Sequence, residues 1–93
     1  MENGVYYIGE WKNGLRNGKG IIYYSNENIK YKGDWVNDKK DGIGHFIYED
    51  GKYYIGQWNN NLRNGKGTLY YSNGEIKQKG NWINDEYVKK ELK

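Results

Sequence analysis

A chain of 93 residues with a net charge of +3 and 35% hydrophobic residues has room for one small domain with a thin core. The absence of cysteine excludes a disulfide framework and a thiolate metal site. No apolar run approaches the ~20 residues that a membrane-spanning helix needs.

The apolar content is aromatic rather than aliphatic, with 11 Tyr and 4 Trp. Such side chains suit half-buried positions, because each has a large apolar face and a polar tip. The mild positive charge permits an acidic partner without demanding one. The opening "MENGVYYIGEW" has neither the charged n-region nor the apolar h-region of a secretion signal. The expected location is therefore the cytoplasm, with a peripheral position at a membrane or the cytoskeleton as an extension of it.

In chain order, the first predicted strand surrounds Tyr7, Gly9 and Trp11, which share one face at period two, while Ile8 and Glu10 share the other. "KNGLRNG" turns the chain into a second strand, where Gly18, Gly20, Ile22 and Tyr24 share a face. The stretch "SNEN" then turns it again, with Asn expected to carry the positive φ where glycine is missing. The same order recurs as Tyr31, Gly33 and Trp35, then Gly42, Gly44, Phe46 and Tyr48. It recurs again as Tyr54, Gly56 and Trp58, then Gly65, Gly67, Leu69 and Tyr71. A fourth unit keeps Gly80 and Trp82, replaces the tyrosine by Gln78, and lacks the second glycine pair. The units are about 4–27, 28–50 and 51–74, with a partial unit at 75–93.

The tryptophans are spaced 24, 23 and 24 residues apart, a period that suits one β-hairpin per unit. "YEDGK" and "YSNGE" between units carry the D-G and N-G signals of hairpin turns. The expected fold is all-β: a single-layer antiparallel meander of about seven short strands, with no strand partner distant in sequence. In the tail "NDEYVKKELK", Val88 and Leu92 lie four apart behind Asn84 or Asp85, a spacing that fits a short capping helix, with a frayed end as the alternative. Ten of the 14 glycines occupy fixed repeat positions. Glycine in a strand interior costs stability, so these positions are expected to leave gaps that a neighbouring Trp or Tyr ring covers.

The segments "YIGEWKNGLRNGKGIIYYSNE", "YKGDWVNDKKDGIGHFIYEDG" and "YIGQWNNNLRNGKGTLYYSNG" resemble MORN (membrane occupation and recognition nexus) repeats, in the pattern Y-x-G-x-W followed by G-x-G. The resemblance covers roughly residues 4–82. It implies an elongated array of hairpins with a shallow aromatic groove that binds partners, assembles or localises without catalysing. Relatives occur in junctophilins, in plant phosphatidylinositol-phosphate kinases, beside a histone-lysine methyltransferase domain, and in apicomplexan and ciliary scaffolds.

No catalytic residue, metal ligand or cofactor is expected. His45 is the only histidine and stands alone on the face opposite Phe46 and Tyr48. Glu10 and Asp34 recur at one position, but Gln57 and Asn81 replace them later, as on a solvated face. Gly18 and Gly20 are not followed by a helical pattern that would make a phosphate loop.

Two surfaces remain. A single sheet leaves one apolar face to be shielded, here bearing Tyr7, Trp11, Tyr31, Trp35, Phe46, Tyr54, Trp58 and Trp82. That face is the candidate groove for a protein or peptide partner. The turns bear Arg16, Lys19, Lys39, Lys40, Arg63 and Lys66, expected along one edge, with Lys89 and Lys90 as candidates to extend the row. That edge is a candidate contact for anionic phospholipid. Self-association through edge strands is a third reading, and nucleic acid is not expected.

Overall fold

The computed structural model describes residues 4–88. Eight antiparallel strands form one sheet in chain order: β1 (Tyr6–Lys12), β2 (Leu15–Tyr23), β3 (Ile29–Val36), β4 (Lys39–Ile47), β5 (Tyr53–Asn59), β6 (Leu62–Tyr70), β7 (Ile76–Ile83) and β8 (Glu86–Val88). Every strand pairs with its neighbours in sequence, so the meander expected from the repeat is present. It has eight strands rather than seven. The difference lies at residues 84–88, where a helix was expected. Asn84 and Asp85 both take positive φ, at 46° and 75°, and reverse the chain into β8. The same Asn-Asp pair makes the turn at Asn37 and Asp38, with φ of 48° and 72°. Asn84 and Asp85 are thus turn residues, not helix caps. Leu92, Lys89 and Lys90 lie outside the described residues.

Two turn types alternate. Within each hairpin, two residues of positive φ form the type I′ turn that matches the twist of the flanking strands. Between hairpins, the amide of Glu27, Gly51 or Gly74 bonds back to the carbonyl of Tyr24, Tyr48 or Tyr71 at 2.9 Å. The bonding residue itself takes positive φ. Glu27 does so at 75°, where Gly51 and Gly74 stand in the other units. The expectation that an Asn would carry that conformation is corrected here. Asn26 instead accepts the Asn28 N–H at 3.0 Å, and this side-chain bond supports the turn around Glu27.

The register explains the glycines. Gly9, Gly20, Gly33, Gly44, Gly56, Gly67 and Gly80 face one another across β1 to β7 as an unbroken row. On what we call the front face, a tyrosine ring from each of β1, β3 and β5 lies flat over this row. Tyr7 covers Gly20, Tyr31 covers Gly44 and Tyr54 covers Gly67, leaving no room for a Cβ at any of the three. Each tyrosine hydroxyl donates to the carbonyl three residues on, namely Glu10, Asp34 and Gln57, at 2.8 to 2.9 Å. The polar tip is thereby satisfied and the ring held down. In the fourth unit Gln78 has replaced the tyrosine, and Tyr87 from β8 lies against Gly80 instead, donating to the Lys79 carbonyl at 2.9 Å.

The tryptophans reach backwards. Trp35, Trp58 and Trp82 donate their indole N–H to the carbonyls of Gly20, Gly44 and Gly67 in the preceding unit, at 3.0 to 3.2 Å. The rings then alternate edge to face: Tyr7, Trp35, Tyr31, Trp58, Tyr54, Trp82, with centroids 5.1 to 5.6 Å apart. Such pairs contribute about 0.5–1.5 kcal/mol each beyond the area they bury. The single sheet thus makes its second layer from its own rings, and Ile22 and Leu69 complete the core.

Candidate functional site

The eight aromatic residues singled out on the front face divide by burial. Tyr31, Trp35, Tyr54, Trp58 and Trp82 are core, none more than 5% exposed. Tyr7 and Phe46 are half-buried against that core. Trp11 is 57% exposed, with its ring edge-on to that of Tyr7 at 4.9 Å. Between Trp11 and Phe46 runs an open groove of about 460 Å³ along the N-terminal half of the front face. Its floor is Ile22, Tyr31 and Trp35, and its polar wall is Arg16, Lys30, Asp38, Lys40 and Asn61.

The six cations expected along one edge divide between the two faces. Arg16, Lys40 and Arg63 lie opposite Trp11, Trp35 and Trp58 in the register, and so share the front face. Lys19 and Lys66 lie opposite Asp34 and Asn81, and Lys39 opposite Val36, which places these three on the back. Alternation by twos separates Lys39 from Lys40 although they are adjacent in sequence.

The front cations are integrated into the ring ladder. Arg16 lies 4.4 Å from the Trp35 ring and pairs with Asp38 at 2.8 Å. Arg63 repeats the arrangement, 4.6 Å from Trp82 and 3.0 Å from Asp85. In both, the aspartate also accepts the arginine backbone N–H at 2.9 Å. Lys40 occupies the same place in the middle unit, 5.3 to 5.6 Å from the rings of Tyr31, Phe46 and Trp58. On the back face, the Lys19 ammonium pairs with Asp34.

Glu10, Asp34 and Gln57, read from the sequence as a solvated face, have a structural task. Each accepts a backbone N–H from the partner strand: Lys19 at 2.9 Å, Ile43 at 2.9 Å and Lys66 at 2.6 Å. They close the bulge made where the register shifts after Gly9, Gly33 and Gly56. Carboxylate and amide oxygens serve equally, which is why Gln57 can replace an acid.

The sequence reading passed over an apolar stripe on the back. Ile8, Ile43 and Ile55 are 40 to 60% exposed there and, with Ile21, line a shallow depression of about 560 Å³ rimmed by Lys32 and His45. The signal was present in the strand alternation, since isoleucine stands beside the repeat tyrosine or glycine. The aromatic letters of the other face drew the emphasis.

Two carboxyls are tuned by these contacts. Hydrogen bonds from the Arg16 backbone N–H and guanidinium hold Asp38 below the usual carboxylate range. Burial pushes Asp34 up, but the Lys19 ammonium and the Ile43 N–H outweigh it, and the net shift is also downward. A depressed folded pKa contributes stability that is present above the unfolded value of ~3.9 and is lost as pH falls through the folded value. Urea midpoints measured from about pH 5 down to about pH 2.5 should therefore fall, and fall less steeply in Asp34→Asn/Asp38→Asn. Equal slopes in the two proteins would contradict the assignment.

The sequence model of the family described as MORN repeat matches residues 7–29, 31–53 and 54–76, well over half of the chain. The chain belongs to the MORN-repeat family. It is also similar to MORN repeat-containing protein 3 of Xenopus laevis, 40% identical over 48 residues. That match spans 52% of this chain and 20% of the relative, so the chain matches only a small part of the relative's length. MORN-repeat proteins are generally non-catalytic, and the family supports a repeat-based module for binding or scaffolding. No helix among the described residues is long and apolar enough to cross a membrane.

Proposed function

We propose that this MORN array is a non-catalytic docking module that receives a peptide segment of a protein partner in the front groove between Trp11 and Phe46. The observation that carries the reading is the division of labour among the rings. Five are consumed as core, while Trp11 and Phe46 present apolar surface around a groove with polar walls. Aromatic anchors beside satisfied polar groups are the composition of binding hot spots. Three of the six expected cations, Arg16, Arg63 and Lys19, are already paired with carboxylates of the array. This favours the groove over a charged edge as the recognition surface.

Selection from a random peptide library on the immobilised protein tests the proposal. Selected peptides should bind about tenfold or more weakly to Trp11→Ala, a ring outside the core. Selection of no peptide, or of peptides indifferent to Trp11, would overturn it. Flotation on vesicles containing phosphatidylinositol phosphates, lost on reversal of Lys39 and Lys66, would instead support the membrane reading.

A further inference from the structure

The three front cations follow one plan, and the middle unit departs from it at two positions together. In the flanking units an arginine lies on the next unit's tryptophan and pairs with an aspartate of the next unit's turn: Arg16 with Asp38, and Arg63 with Asp85. In the middle unit the cation is Lys40 and the turn residue is Asn61. Asn61 keeps the backbone half of the arrangement, accepting the Lys40 N–H at 2.8 Å, as Asp38 and Asp85 accept the N–H of Arg16 and Arg63 at 2.9 Å. It supplies no negative charge. Among the described residues Lys40 makes no ion pair, and its ammonium is held against the faces of Tyr31, Phe46 and Trp58. It does so in the wall of the open groove, where Lys30 and Arg16 are also present.

We infer that Lys40 receives the carboxylate of an acidic side chain on the docked peptide, completing from outside the pair that the flanking units complete with their own aspartates. This rests on the groove reading above and specifies its occupant: a segment with an Asp or Glu next to an apolar side chain. The apolar neighbour covers Phe46 while the acid meets Lys40. Charge complementarity supports the choice. The groove's carboxylate, Asp38, is committed to Arg16, so a positively charged segment finds no free acceptor there. The attraction between a carboxylate and a cation held partly out of water is stronger than that to a solvated surface lysine, because the effective dielectric is lower.

The electrostatics agree. Burial, then the positive charges of Lys30 on β3 and Arg16 on β2, pull the Lys40 ammonium down to about 8, opposed by Asp85 from the turn after β7. Asp38, in the turn between β3 and β4, faces the same groove and is occupied by Arg16. An ammonium that loses its proton on alkalinisation loses its attraction for an acid. Affinity is therefore highest below that value and declines as pH rises through it, with the midpoint moved upward by the bound carboxylate.

The test uses peptides selected from a random library on the wild-type protein. They should be enriched in Asp or Glu, and replacing that acid by Asn or Gln should weaken binding about tenfold or more. Lys40→Arg/Asn61→Asp rebuilds the internal pair. It should keep or raise the urea midpoint and yet weaken acidic peptides by a similar factor, as should Lys40→Gln. Peptides that depend on Trp11 but show no acidic enrichment, or that bind Lys40→Arg/Asn61→Asp as well as wild type, would overturn this inference and leave the groove reading standing. Selection of no peptide would overturn both. Binding only to phosphatidylinositol phosphate vesicles, dependent on Lys40, would assign the ammonium to a lipid surface and likewise overturn the inference.

Discussion

Gly44→Ala is expected to cost about 3 kcal/mol, enough to unfold much of a small domain. The direction runs against local preference. Alanine in a strand interior ordinarily stabilises by about 0.5–1 kcal/mol relative to glycine. Here the added Cβ overlaps the ring and hydroxyl of Tyr31, which is 1% exposed and pinned by its bond to the Asp34 carbonyl. The ring cannot rise without parting from Trp35 and Trp58, both packed edge-on against it. Gly14→Ala is the comparison. Nothing lies within 4 Å of its Cβ position, and only the positive φ of 78° opposes the change. About 1 kcal/mol is expected there. Urea denaturation of the two variants beside wild type checks both, and equal midpoints would show that ring overlap is not what reserves the row for glycine.

Trp58→Ala and Trp11→Ala should differ by several kcal/mol although both residues occupy the same letter of the repeat. Trp58 is 5% exposed, bonds to the Gly44 carbonyl and lies between Tyr31 and Tyr54. Its removal is expected to cost about 3–5 kcal/mol. Trp11 is 57% exposed and packs edge-on against Tyr7, so its removal should cost about 1 kcal/mol. The pair separates folding from recognition. A Trp11 variant with a near-native urea midpoint reports on binding alone, whereas a Trp58 variant cannot. If Trp11→Ala unfolds the protein as readily as Trp58→Ala, the division of the rings into core and groove is wrong.

Much of this was legible in the sequence, and the illegible parts have physical reasons. Period-two alternation, turn dipeptides and a phase kept through three units led to a single antiparallel meander. The reading of the glycines as space for rings holds for Gly20, Gly44 and Gly67, whereas Gly18, Gly42 and Gly65 take positive φ and face the side chains of Glu10, Asp34 and Gln57. The direction in which each tryptophan leans was not readable. Trp11 and Trp58 sit in identical local patterns, yet Trp58 bonds to the Gly44 carbonyl between the rings of Tyr31 and Tyr54 and is core, while Trp11 is exposed. The division of Lys39 from Lys40 follows from strand alternation, which was applied to the aromatics and not to the cations. The eighth strand was also readable in principle, since Asn84 and Asp85 repeat the turn at Asn37 and Asp38. A helix-like spacing of Val88 and Leu92 competed with that reading. The task of Glu10, Asp34 and Gln57 needed the register shift to be seen, because only a bulge leaves a backbone N–H for their side chains.

The indole N–H signals offer the most direct measurement of the central claim. Three of them, from Trp35, Trp58 and Trp82, donate to glycine carbonyls, while the fourth ring, Trp11, stands at the groove. In a ¹⁵N-labelled sample, three indole protons should exchange slowly with solvent and the Trp11 proton rapidly. On addition of a selected peptide, the Trp11 signal and the amides around Lys40 and Phe46 should move, while those of Ile43, Ile55 and Lys66 stay in place. Movement confined to that back-face set, with Trp11 unaffected, would contradict the groove as the docking surface.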